Sequence, residues 1–138
     1  MPARDKVHQQ VVNALRKDGW TITHDPLKVI WKKRKLQIDL GAERLLAAQK
    51  GDDKIAVEIK SFIGANDLED LYQALGQFIL YRIALSVKDP ERRLFLAIRA
   101  EIYQEIFADE EGESLRAKEG INILVVHTNL EEFVLWKQ

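Results

Sequence analysis

The chain has 138 residues, no cysteine, 46% hydrophobic and 31% charged residues, and a formal net charge of −1. These values suit one soluble domain over residues 1–138 that can bury a core unaided, and they exclude disulfides, thiolate metal sites and a cysteine nucleophile. The charge balance argues against a protein that coats nucleic acid through bulk positive charge, so any such contact has to be local.

The N-terminal stretch is charged and lacks an apolar core, and no later run approaches the roughly 20 apolar residues that cross a bilayer. Neither signal peptide nor membrane anchor is expected, and a cytoplasmic location is. From about Arg4, Val7, Val11, Ala14 and Leu15 recur at helical spacing, and Asp18-Gly19 supplies a stop. Trp20 to Thr23 reads as a strand, Asp25-Pro26 as a turn, and Leu27 to Trp31 as an extended piece before the basic run Lys32-Lys33-Arg34-Lys35. LQIDL then alternates Leu36, Ile38 and Leu40 with Gln37 and Asp39, which predicts a half-buried strand with Asp39 on its polar face.

Glu43 to Gln49 continues as a strand, Lys50 to Lys54 supplies turn chemistry, and Ile55 to Lys60 returns as the antiparallel partner. A long helix follows from Asn66 or Asp67, with Leu68, Leu71, Leu75, Phe78, Ile79, Arg82 and Ile83 at helical spacing. Arg93 to Ile98 reads as a buried strand, Glu101 to Phe107 as a short helix, Asp109 to Gly120 as a loop, and Ile121 to His127 with Glu132 to Trp136 as a final strand pair. The order implies a mixed central sheet flanked by helices.

The chemistry concentrates in IAVEIKSF. A strand alternates its side chains between faces, so Ile55, Val57 and Ile59 share one and Ala56, Glu58 and Lys60 the other. If the Asp39 strand is a neighbour, two carboxylates and an ammonium converge. A tight turn near Gly51-Asp52 would put Glu58 across from about Leu45, so Asp39 reaches it only through a bulge or bend near Gly41; otherwise Glu43 takes the acidic role. Mg²⁺ takes such oxygen ligands with waters and phosphate oxygens, and a bound cation lowers the pKa of water and polarises a phosphodiester. Lysine can steady the attacking water or the developing charge.

An acidic residue on one strand followed by Glu-x-Lys on the next resembles the PD-(D/E)XK nuclease superfamily, here as Ile38-Asp39 and Glu58-Ile59-Lys60, with Gln73, Gln77 and Tyr81 resembling its Q-x-x-x-Q or Q-x-x-x-Y helix element. At closer range ARDKVHQQVVNALRKDGWTITHDP, IDLGAERLLAAQKGDDKIAVEIKSF and ALGQFILYR resemble the XisH family, named for control of excision of the fdxN element. The resemblance implies an α/β restriction-endonuclease-like fold and an Mg²⁺- or Mn²⁺-dependent endonuclease acting on DNA. Asp39, Glu58 and the Ile59 carbonyl would hold the metal, Lys60 would act on the water or developing charge, and Gln77 would support the site. The superfamily's first-helix glutamate is absent, leaving Asp5, His8 and Gln9 as polar candidates, with His8 a water or phosphate contact. The alternative is a non-catalytic accessory factor that binds DNA or a partner excision-control protein, and a homodimer would enlarge either contact surface. His24 and His127 lack ligand-spaced partners and read as structural, and Trp20, Trp31 and Trp136 as packing residues.

Overall fold

The computed structural model describes residues 3–45, 52–63 and 67–138. The spacing of Val7, Val11, Ala14 and Leu15 folds Ala3–Lys17 as helix α1, with all four buried on one face. The helix stops at Gly19, whose φ of +89° lies in the left-handed region that glycine enters without steric cost. After β1 (Thr21–His24), strands β2 (Leu27–Trp31) and β3 (Arg34–Ile38) form a separate antiparallel ribbon. Its turn residues Lys32 and Lys33 have φ of 49° and 65°, the backbone that matches the twist of a two-residue hairpin. Much of the basic run is therefore a solvated turn.

The remaining elements are β4 (Leu40–Leu45), β5 (Asp52–Ile59), α2 (Asp67–Lys88), β6 (Arg93–Arg99), α3 (Ala100–Ile106), α4 (Glu110–Glu119), β7 (Ile123–His127) and β8 (Glu132–Lys137). The central sheet runs β1-β4-β5-β6-β7-β8, parallel from β5 to β7 and antiparallel at both sides. On one face Leu15 and Trp20 pack on Leu40, Val57 and Phe95. On the other, Phe78, Phe107 and Ile38 pack on Ala56, Leu96 and Ile98. Burial on both faces explains why β6 and β7 read as nearly continuous apolar runs, and each large side chain so buried contributes roughly 1.5–3 kcal/mol. The chain is α/β, with a mixed sheet flanked by helices. No helix among the described residues is long and apolar enough to cross a membrane.

Four expectations change. The segment read as a loop from Asp109 to Gly120 is helix α4, capped by the Asp109 side chain on the Gly112 amide (2.7 Å) and closed by Gly120 at φ +65°. Its glycine is a packing device, because a Cβ on Gly112 would lie 2.0 Å from the Ile106 carbonyl oxygen. LQIDL is not one strand either: the chain leaves the ribbon after Ile38 and joins the central sheet at Leu40, so these two residues enter different cores.

The β4–β5 register pairs Leu45 with Asp52 and Leu40 with Val57 without interruption, so Glu58 does not stand across from Leu45 and no bulge between these strands is needed. The irregularity lies instead between β1 and β4, opposite Gly41 and Ala42. Residues 46–51, like the candidate cap Asn66, fall outside the described residues. On α2, finally, the expected apolar stripe divides. Phe78 is buried with Ala74 and Leu85, whereas Leu68, Ile79 and Ile83 remain 54%, 39% and 51% exposed.

Candidate functional site

Strand β5 presents Val57 and Ile59 toward the α1 core and Ala56 toward the α2 core, so Glu58 and Lys60 follow Ala56 to the α2 side. Because Leu40 pairs with Val57, the residue before Leu40 stands beside Glu58. That residue is Asp39. Its amide donates to Glu58 Oε1 (3.2 Å), and the Ile59 amide donates to Asp39 Oδ2 (2.7 Å), so each carboxylate is held by backbone of the other's segment. Charge-assisted bonds of this kind fix geometry well, and each carboxylate has a second oxygen beyond them.

Holding two carboxylates together is costly. Glu58 is 7% exposed, and burial first, then the negative charge of Asp39, push its carboxyl up to about 8; the Asp39 amide and the Lys60 ammonium offset part of this. At neutral pH the pair therefore retains a proton. The same charges reach Tyr81 of α2, whose phenol is pushed up to about 12 by burial and then by Glu58 and Asp39.

Lys60 continues the parallel ladder through its amide, which donates to the Ala97 carbonyl (3.0 Å), while its Nζ donates to Gln73 Oε1 (3.0 Å). One ammonium hydrogen is so engaged, and two further donors remain on the side chain. A cavity of about 520 Å³ covers the group, walled by α2 residues Asp70, Gln73 and Gln77 and by Ser61 to Ile63, with His8 of α1 also on its lining. Gln77 Oε1 and Asp70 Oδ2 are buried there without a hydrogen-bond partner. Buried acceptors left unpaired are uncommon and fit a site that receives a donor or a cation.

The donor set suits a hard cation. Among the described residues no group of three or more His, Cys, Asp or Glu side chains could hold a metal ion; an ion in this cavity would have the Asp39 and Glu58 carboxylates as its protein donors, beside Ile59 on the lining, with waters completing an oxygen shell. Mg²⁺ and Mn²⁺ both fit such a shell, and either would relieve the crowding of the two carboxylates.

Glu43, the rival acidic residue, stands opposite Lys54 and pairs with the buried Arg92 guanidinium (3.1 Å), which also donates to the Ile55 carbonyl (2.8 Å). Glu43 does not line the cavity. His8 does, yet its Nε2 lies 3.0 Å from Asp25 Oδ1 and is already partnered. The side chain of Asp5 lies outside the described residues, and Gln9 bonds Asn13 (2.9 Å). His24 contacts the Thr23 hydroxyl and His127 accepts from the Leu130 amide, both away from the cavity.

Two parts of the lining were not read from the sequence. Asp70 precedes Gln73 by three residues on α2, and it is found from Gln73 by the i,i−3 neighbour rule and not by the four-residue step of the Gln73, Gln77, Tyr81 series, which lands on Glu69. The Ser61 to Ile63 wall carries no local signal: Phe62 is buried at φ +52°, and the Ser61 carbonyl is tied by Arg99 Nη2 (2.7 Å) from the end of β6.

The family model described as XisH protein matches residues 1–134. Two crystal structures are similar over nearly the whole chain. An XisH family protein from Nostoc punctiforme PCC 73102 is 37% identical with a TM-score of 0.87, covering 97% of this chain and 100% of that one. An fdxN element excision controlling factor protein from Anabaena variabilis is 36% identical with a TM-score of 0.87, covering 98% and 100%. No curated protein matches. On the extent of the family match and these identities, the chain belongs to the XisH family.

Proposed function

We propose that the protein hydrolyses phosphodiester bonds in DNA with Mg²⁺ or Mn²⁺, on an α/β frame of the PD-(D/E)XK kind, in the control of excision of a DNA element. The observation that carries this reading is the reciprocal bonding of Asp39 and Glu58 beside Lys60 in one cavity. A carboxyl driven up to about 8 is an expense that folding alone does not require, and such perturbed groups cluster at functional sites. The role in excision is supported by the Anabaena variabilis relative, described as an fdxN element excision controlling factor.

In this reading Asp39, Glu58 and the Ile59 carbonyl hold the cation, which when bound supplies Lewis acidity toward the phosphate and acidifies water. Lys60, oriented by Gln73, steadies the attacking water and the charge that develops on the phosphate oxygens. The unpartnered Gln77 oxygen can accept a hydrogen from that water. His8, on the cavity lining but engaged with Asp25, contributes a phosphate contact when it exchanges that partner.

The test is nicking of supercoiled, relaxed and single-stranded DNA with Mg²⁺, Mn²⁺ or EDTA. Cleavage that requires the cation and falls at least a hundredfold in Asp39→Asn, Glu58→Gln and Lys60→Met, but persists in Glu43→Gln, supports the proposal. Equal cleavage by all these variants sinks it. Absence of cleavage on every substrate, with tight binding of DNA or of a partner protein, favours the accessory role instead.

A further inference from the structure

Helix α2 carries a second face that the cavity does not use. Leu68, Tyr72, Ile79, Ile83 and Val87 are 54%, 59%, 39%, 51% and 85% exposed, and Gly76 lies among them with open space beyond its Cα. Isolated exposed apolar residues are ordinary, but six small or apolar positions in one stripe along a helix of about 33 Å are not. The stripe continues onto the ribbon through Ile30, 65% exposed, which shares an apolar groove of about 530 Å³ with Val29, Ala84 and Val87.

The order of residues in the stripe identifies what covers it. About the midpoint between Gln77 and Phe78, Leu68 mirrors Val87, Tyr72 mirrors Ile83, and Gly76 mirrors Ile79. Such a pattern is self-complementary when a second α2 lies antiparallel across the first, since a two-fold axis at the midpoint brings each position against its mirror. Near the axis Gly76 leaves room for the Ile79 side chain of the other copy. The groove end of the helix is rimmed by Lys28, Lys35 and Lys88, and antiparallel pairing would bring the acidic first turn of the second copy toward that basic rim.

We infer that the protein is a two-fold homodimer built on antiparallel pairing of α2, with Leu68, Tyr72, Gly76, Ile79, Ile83 and Val87 as its apolar seam. This pairing stands independently of the proposed cleavage. It does have a consequence for the site. Gln73, Gln77 and Tyr81 project from α2 on a different face from the seam, and a two-fold of this kind sends side chains that leave the helix sideways to the same side in both copies. Both cavities therefore open on one side of the dimer, an arrangement suited to a single extended ligand such as a nucleic-acid duplex.

Light scattering on the size-separated full chain should give twice the monomer mass, and Ile79→Glu/Ile83→Glu should give the monomer mass with an unchanged far-ultraviolet circular dichroism spectrum. Register is read by oxidative cross-linking, which is clean because the chain has no cysteine of its own. Leu68→Cys/Val87→Cys should form a covalent dimer, whereas Leu68→Cys alone should not, its two copies being about 28 Å apart along the helices. A monomer at all concentrations up to about 200 μM overturns the inference. So does equal cross-linking of Leu68→Cys alone, which would mean parallel pairing.

Discussion

Replacing Glu58 with glutamine keeps the side chain's size and its acceptor for the Asp39 amide but removes a charge that folding has to suppress. In the folded chain this carboxyl moves from 4.5 to about 8, first by burial and then by the neighbouring Asp39 charge. Between those two values the folded state binds more protons than the unfolded state, so stability is full at acid pH and falls as pH rises, levelling off above about pH 8. At about 1.4 kcal/mol per pH unit, that window corresponds to about 4–5 kcal/mol, a large share of the roughly 5–15 kcal/mol that holds a domain together. Chemical unfolding in EDTA should therefore find Glu58→Gln close to the parent at pH 4 and more stable by several kcal/mol at pH 9. For a chain of this size that is a gain of at least 10 °C in melting temperature at alkaline pH. A stability difference that stays flat with pH, or a parent chain that outlasts the variant at pH 9, would refute the reasoning.

Cation binding should run the other way. Because the pair holds a proton below about pH 8, Mg²⁺ has to displace it, and affinity measured by calorimetry should rise about tenfold per pH unit from pH 6 to 8 with release of one proton; Asp39→Asn should abolish both the binding and its slope. Gly112→Ala should cost about 2–4 kcal/mol in urea unfolding, since the new methyl meets the Ile106 carbonyl oxygen and α4 has to move away from α3. Arg92→Ala should cost about 3–5 kcal/mol by leaving Glu43, Asp89 and the Ile55 carbonyl unpartnered around a buried site, with nicking per folded molecule unchanged.

The convergence of Glu58 and Lys60 was legible because a strand's two-residue period leaves no freedom about which side chains share a face. Asp39 was legible as the partner type but not as a register, since pairing depends on the connection between the strands, and the sequence permits a tight turn near Gly51-Asp52 as readily as the register that pairs Leu45 with Asp52. The break in LQIDL was hidden for a related reason: alternation continues through Asp39 although the chain changes sheets there. Helix α4 escaped because its burial rests on Gly112 and Arg116 rather than on a 3.6-residue apolar repeat, while its end signals, Asp109 and Gly120, look the same in a loop. On α2, an apolar stripe turned to solvent and one turned to the core are indistinguishable in sequence, and together they appeared as a single broad face.

Asp39 occupies the joint between ribbon and sheet, and the two bonds that aim its carboxylate also fasten that joint. Lys60 has no such double employment, because among the described residues its ammonium bonds only the exposed Gln73 side chain. The two residues would consequently decay at different speeds if selection for the proposed cleavage were relaxed. Mutational drift could remove the lysine with little harm to folding, while the aspartate would be retained by the fold itself. In lineages descended from a common ancestor, the lysine is accordingly the better marker of whether the proposed activity is retained.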